Sequence, residues 1–217
     1  MRTKMKALVL SLCAVLLVVT TVFVTMAYLT SQDSVTNTFT VGEISLTLDE
    51  KDTDNSKTDT TTEGRDKANE YHLLPSNTYE KDPTVHVAKN SEDCYVYVKV
   101  VNGIAEAEAT TGTYDGKEYK SIADQIAALG WTQLVVDDAP VEGVYYKEVG
   151  QKDVNRDLVV FKEFRIKDEI SNTELKKYAT EANTTEPTKI IEVTAYAVQQ
   201  AGFTDAADAW SNTFGKN

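Results

Sequence analysis

Cysteine and histidine are both scarce in this 217-residue sequence: Cys13 and Cys94 are the only thiols, and His72 and His86 the only imidazoles. Two cysteines exclude a disulfide framework and a Cys-rich zinc module. Two histidines exclude a three-histidine metal site within one chain. Basic residues are also in short supply, with 22 Lys+Arg against 34 Asp+Glu and a formal charge of -12. A nucleic-acid binder displaces counterions with clustered Lys and Arg, so that function class is excluded. The same deficit argues against a folded basic face that docks on anionic lipid. Neither H-E-x-x-H nor G-x-S-x-G occurs, which removes the commonest zinc-peptidase and serine-hydrolase signatures.

What remains is an ordinary globular balance, 41% hydrophobic and 26% charged, and a length that fits one domain or at most two small ones. The N-terminus stands apart. Arg2, Lys4 and Lys6 form a basic region, and no charge interrupts the sequence from Ala7 to Leu29. This is the anatomy of a secretory signal over residues 1–27, with Thr25 and Ala27 compatible with a peptidase cutting before Tyr28. An apolar run of this length also suits an uncleaved membrane anchor. Either way the basic end stays inside and the remainder is exported. Cleavage would remove three cations, no acid, and Cys13.

Residues 28–217 read as one β-rich domain. Phe39 and Val41 alternate with Thr38 and Thr40; then Ile44, Leu46 and Leu48 alternate with Ser45 and Thr47. The apolar parity switches across Gly42-Glu43, as a bulge or sharp bend would require. Residues 51–70 hold scarcely any apolar side chains and read as a mobile loop. Within it Asp52 and Asp54 faintly resemble a calcium loop, but the Gly and closing Glu are at the wrong offsets, so solvated acidic chain is the simpler reading. Strand pattern returns in PTVHVAK, where Pro83 opens the strand and His86 faces away from Val85 and Val87 as a surface residue. It continues in CYVYVKVV, which places Cys94 with Val96, Val98 and Val100 as a buried structural thiol.

Ile122, Ile126 and Leu129 recur at helical spacing, with Gly130 as terminator. TQLVV, GVYYKEV and LVVFKEFRI follow as strands, the last presenting Leu158, Val160, Phe164 and Ile166 on one face. A short helix capped by Asn172 or Thr173, a strand in IIEVTAYAVQ and a terminal helix capped by Thr204 complete the chain. Six or more short strands with isolated helices predict an all-β fold, mainly an antiparallel sandwich of jelly-roll kind, rather than alternating βαβ units.

Taken together, four segments resemble the TasA/camelysin family of secreted Gram-positive proteins. They are Ala27 to Glu50 (with Asn37, Phe39 and Gly42 as an N-x-F-x-x-G entry), Leu73 to Val100, the Trp131/Tyr145-Tyr146-Lys147/LVVFKEF series, and Glu192 to Trp210. Ser76 stands where the family usually has Gly after Pro75. The resemblance implies a cell-surface or biofilm-matrix protein without a cofactor, matured by a SipW-type signal peptidase. It further implies subunits that polymerise into fibres when the N-terminal segment of one completes a sheet of the next. The assembly segment would then be residues 28–42, with Tyr28, Leu29, Phe39 and Val41 supplying backbone and side-chain contacts; the competing expectation is that residues 38–48 simply pair within their own subunit. The partners would be further copies of the chain or related matrix subunits. Camelysin relatives also raise a metallopeptidase reading, for which His72, His86 and nearby carboxylates such as Glu70 or Asp82 are the candidate residues. A third class is an adhesion module that uses tyrosine-rich faces such as those of Tyr95, Tyr97, Tyr145, Tyr146 and Tyr196.

Overall fold

The CYVYVKVV segment becomes the strand around which the body is built. In this computed structural model, which describes residues 5–6, 13–17, 43–54, 64–178 and 191–215, the chain divides into Met1–Val41 and Gly42–Asn217. In the first unit, Met5–Lys6 and Cys13–Leu17 are helical and their side chains are exposed. Among the described residues no helix is long and apolar enough to cross a membrane. Ala27, Tyr28, Leu29, Phe39 and Val41 lie outside the described residues.

In the second unit the strands are β1 (Leu46–Lys51), β2 (Arg65–Asp66), β3 (Thr78–Glu80), β4 (Thr84–Val87), β5 (Cys94–Asn102) and β6 (Gly112–Tyr114). They continue as β7 (Lys117–Tyr119), β8 (Thr132–Val136), β9 (Ala139–Val149), β10 (Asp157–Val159), β11 (Glu163–Arg165) and β12 (Ile191–Gln199). The helices are α1 (Ile122–Ala128), α2 (Asn172–Leu175, extended by a 3-10 turn over Lys176–Tyr178) and α3 (Ala206–Thr213).

One four-stranded sheet has the order β10-β4-β1-β2 and the other β12-β5-β9-β8, with every pairing antiparallel. Two-stranded pieces, β11-β3 and β6-β7, flank them. The fold is therefore all-β and sandwich-like, with a few short helices. Alternation along β5 explains the layering. Cys94, Val96, Val98 and Val100 face Val85 and Val87 of β4 in the core between the sheets. Tyr95 and Tyr97 point the other way, onto Leu134, Val144 and the Ala206, Ala209 and Trp210 face of α3. Tyr97 is fully buried and its hydroxyl donates to the Ala206 carbonyl at 2.7 Å, so it is a core residue rather than part of an exposed tyrosine-rich face.

Several local expectations are refined. LVVFKEFRI is not one strand. Leu158 pairs in the first sheet through β10 and Phe164 pairs with Tyr79 through β11. The break falls at residues 160–162, and the N–H groups of Lys162 and of Glu163, the first residue of β11, both donate to the Gln125 Oε1 of α1. Val160, Phe164 and Ile166 are nonetheless buried as the pattern required. The N-cap of α2 is Ser171, in a reciprocal box with Glu174, and that of α3 is Asp205; both precede the residues expected from spacing by one or follow by one, within the usual uncertainty of helix ends. Ser76 has a φ of 64°, so the turn after Pro75 keeps the left-handed conformation that glycine adopts at less cost.

The edge at β8 is irregular. Its register with β9 shifts between Gln133 and Val135, and the Gln133 amide fills the gap by donating to the Val141 and Val144 carbonyls. Gly143, at φ 67°, lies so near the Val100 carbonyl that a Cβ would sit 2.4 Å from its oxygen. That position tolerates only glycine without backbone movement.

Phe161 is fully buried among the inter-sheet residues. Phe161→Ala is expected to lower the unfolding free energy by about 3–5 kcal/mol, the range for deleting a buried aromatic ring, as read by urea unfolding of residues 43–217.

Candidate assembly edge and its polar flank

Backbone groups at the rim of a sheet are the first candidate for function in a chain without a catalytic motif. β12 pairs with β5 over nine consecutive residues, Ile191↔Asn102 through Gln199↔Cys94, without a register shift. On its other side β12 has no strand partner among the described residues. Its sequence, IEVTAYAVQ, holds a single charge and no proline. Natural edges are usually blunted by lysine, proline, bulges or short length, and β12 uses none of these. Among the described residues β1 is open as well: it meets β4 along Leu46–Asp49, but on its other side meets β2 only at Glu50 and Lys51. β1 also packs against β12, so the two open rims lie together, one from each sheet. The chain enters this corner through Ile44, which packs on the inter-sheet core.

The outer face of the first sheet carries a ladder of charge. His86 is half-buried and bridges two strands: its Nδ1 lies 2.7 Å from Asp157 Oδ1 of β10, and its Nε2 lies 2.9 Å from Asp49 Oδ1 of β1. Asp49 also pairs with the Arg65 guanidinium, which reaches on to Asp82 at 3.1 Å. His86 is thus a cross-strand tie, not simply a surface residue. Periodicity could not reveal this, because its partners come from β1 and β10, far away in sequence. Burial works to lower the His86 pKa, but the hydrogen bonds and charges of Asp157 and Asp49 outweigh it and the net displacement is upward. A neutral imidazole has one N–H, so on deprotonation one carboxylate loses its donor.

Of residues 51–70, expected as a mobile loop, 55–63 lie outside the described residues, while 51–54 and 64–70 contain more structure than their composition suggested. β2 pairs with the end of β1, and Asp66 is fully buried. Arg65 supplies the reason: its guanidinium is held by Asp49 and Asp82 together, which anchors a stretch poor in apolar side chains. Asp52, Asp54 and Asp66 bring carboxylate oxygens within 4.8 Å of one another, an oxygen donor set of the kind that suits a hard divalent cation. The sequence favoured solvated acidic chain for Asp52 and Asp54, and gave no sign that Asp66, the buried member, joins them.

The histidine-based peptidase assembly is not brought together. Among the described residues the one cluster with cation-holding geometry contains no histidine. His86 has both ring nitrogens on carboxylates, and Asp82 is taken by Arg65 and the Lys51 N–H. His72 lies in an exposed loop whose carbonyl accepts from the Tyr79 hydroxyl. A cleft of about 310 Å³ beside α1, bounded by Val100, Ile122, Ile126 and Tyr145, does contain a buried carboxylate, Glu108. Its oxygens already accept from the Tyr119 hydroxyl, the Ile122 N–H and the Asn102 amide, so it is committed to holding the β5 exit, β7 and α1 together.

No family model, curated protein or solved structure matches this chain.

Because the His86 pKa is raised on folding, its contribution to stability is fully present below the ordinary histidine value of about 6.5 and is lost as pH rises through the folded value. Equilibrium unfolding measured from pH 5 to pH 9 should therefore show stability falling across and above that ordinary value. In His86→Asn the decline should be absent.

Proposed function

We propose that this chain is a secreted structural protein of the cell surface or extracellular matrix that assembles head to tail into fibres by donating its N-terminal segment to a neighbouring sandwich. The observation that carries the reading is the unblunted nine-residue rim of β12 beside the half-open rim of β1. An extended segment laid along either rim satisfies rows of N–H and C=O groups, and pockets for alternate side chains fix its register. Residues 28–42, just ahead of this corner, carry Phe39 and Val41 at alternating spacing. The resemblance to TasA/camelysin proteins and the export-type leader support the same reading. An intact leader would hold the donor segment at the membrane, so removal of residues 1–27 by a SipW-type peptidase would act as the trigger. A head-to-tail contact of this sort does not close on itself, and repetition yields filaments rather than rings.

The test compares the chain beginning at Tyr28 with one beginning at Glu43, both imaged by negative-stain electron microscopy at equal concentration. Filaments are expected from the first and monomers from the second, and a synthetic peptide of residues 28–42 in excess should shorten the filaments. Filaments of equal length from both chains would refute donation by this segment.

A further inference from the structure

Glu50, Asn69 and Lys81 form a cluster that neither the open rims nor the His86 ladder uses. Glu50 closes β1, Asn69 follows β2, and Lys81 lies between β3 and β4. The Glu50 side chain is 5% exposed and that of Lys81 11%. Lys81 Nζ donates to Glu50 Oε2, while Asn69 Nδ2 donates to Glu50 Oε1 at 2.9 Å. An amine and a carboxamide nitrogen therefore rest on the two oxygens of one buried carboxylate, which makes them neighbours. The amide is oriented at its other end too. Asn69 Oδ1 accepts from the Thr53 N–H at 2.7 Å and from the Thr53 hydroxyl at 3.0 Å, and Nδ2 also donates to the Lys51 carbonyl at 2.9 Å. The Tyr71 ring covers the amine, with Nζ 5.8 Å from its centroid.

We propose that Lys81 and Asn69 become joined by an intramolecular isopeptide bond, with Glu50 carrying the proton. Lys81 Nζ passes a proton to Glu50 Oε2 and, as a free amine, attacks Asn69 Cγ. Charge develops on Oδ1, where the two Thr53 donors already point; preorganised donors at a developing oxyanion are a large source of rate acceleration. Glu50 returns the proton to Nδ2, the Cγ–Nδ2 bond breaks and ammonia leaves, and the second proton that Nζ sheds as it becomes an amide nitrogen passes through Glu50 to the departing ammonia. The product is an Nζ–Cγ amide plus ammonia, which departs protonated as ammonium. Atoms and charge balance with no external reactant. The positioning of nucleophile, acyl group and proton carrier on one carboxylate supplies the proximity that an uncatalysed amide exchange lacks. The bond would tie the segment after β2 to the entry of β4, closing a covalent ring over residues 69–81.

Tryptic peptide mass spectrometry of the unmutated, folded chain decides the matter. Trypsin normally cuts after Lys67, Lys81 and Lys89. With the bond in place the cut at Lys81 is blocked, and the peptide Ala68–Lys89 is recovered lighter by one ammonia. Lys81→Arg and Asn69→Ala should each restore cleavage at position 81 and the full mass. Glu50→Gln keeps both partners and should also restore them. The proposal is overturned if the unmutated chain yields Ala68–Lys81 at its full mass. It is equally overturned if ammonia is lost while Lys81 is still cut, since that is succinimide formation at Asn69. Retention of the bond in Glu50→Gln would remove Glu50 from the chemistry. Because the decisive digest uses the native sequence, a variant that fails to fold does not affect the outcome.

Discussion

Burial of β5 on both faces is the constraint on which the rest of this structure depends. A strand with one wet face needs only one apolar set. CYVYVKVV supplies two, small aliphatics and a thiol toward the opposing sheet and tyrosines toward α3. The first set requires a second sheet, and β4 provides it with Val85 and Val87. The second requires a cover, and α3 provides it with Ala206, Ala209 and Trp210. Tyr97, 5.0 Å from Trp210 between ring centroids and bonded to the Ala206 carbonyl, joins the two demands in a single residue. The terminal helix is thus a structural layer of the sandwich and not an appendage.

How much of this could be read from the residues alone depended on the range of the interaction. Alternation is local, so the placement of Cys94, the strand at Ile191–Gln199 and the helix at Ile122–Ala128 were all legible. The break in LVVFKEFRI was not, because the Gln125 carboxamide that interrupts it comes from another element. The order within residues 64–70 was hidden for a related reason. Low hydrophobicity signals weak burial, but Arg65 is anchored by charge, and its partners Asp49 and Asp82 cannot be chosen from among so many acids by spacing. The residues expected to drive assembly, Tyr28, Leu29, Phe39 and Val41, were chosen on leader anatomy, alternation and resemblance. The open rims emerged only from the strand pairings of β1 and β12.

An excess of acids looks uniform in composition and is not so in space. Among the described residues Asp49, Glu50, Asp66 and Glu108 are buried, each with defined neighbours. The first three gather where β1 ends and β2 begins, the part of the first sheet with the fewest strand pairings. Ionic and hydrogen-bonded contacts take over there from apolar packing. Such contacts tie specific groups together at defined geometry, but each broken partner leaves a costly orphan. This corner is therefore expected to be more sensitive to single substitutions than its modest apolar content suggests.

The two borders of the second sheet differ in a way that matters beyond a single molecule. At β12 the ladder is regular to its last residue; at β8 the register with β9 slips and the Gln133 carboxamide donates to two β9 carbonyls, those of Val141 and Val144. The two borders of this sheet are thus unlike, a continuous ladder at one and an interrupted ladder at the other. In the fibre proposed above, that asymmetry would give every subunit a front and a back, and growth a polarity.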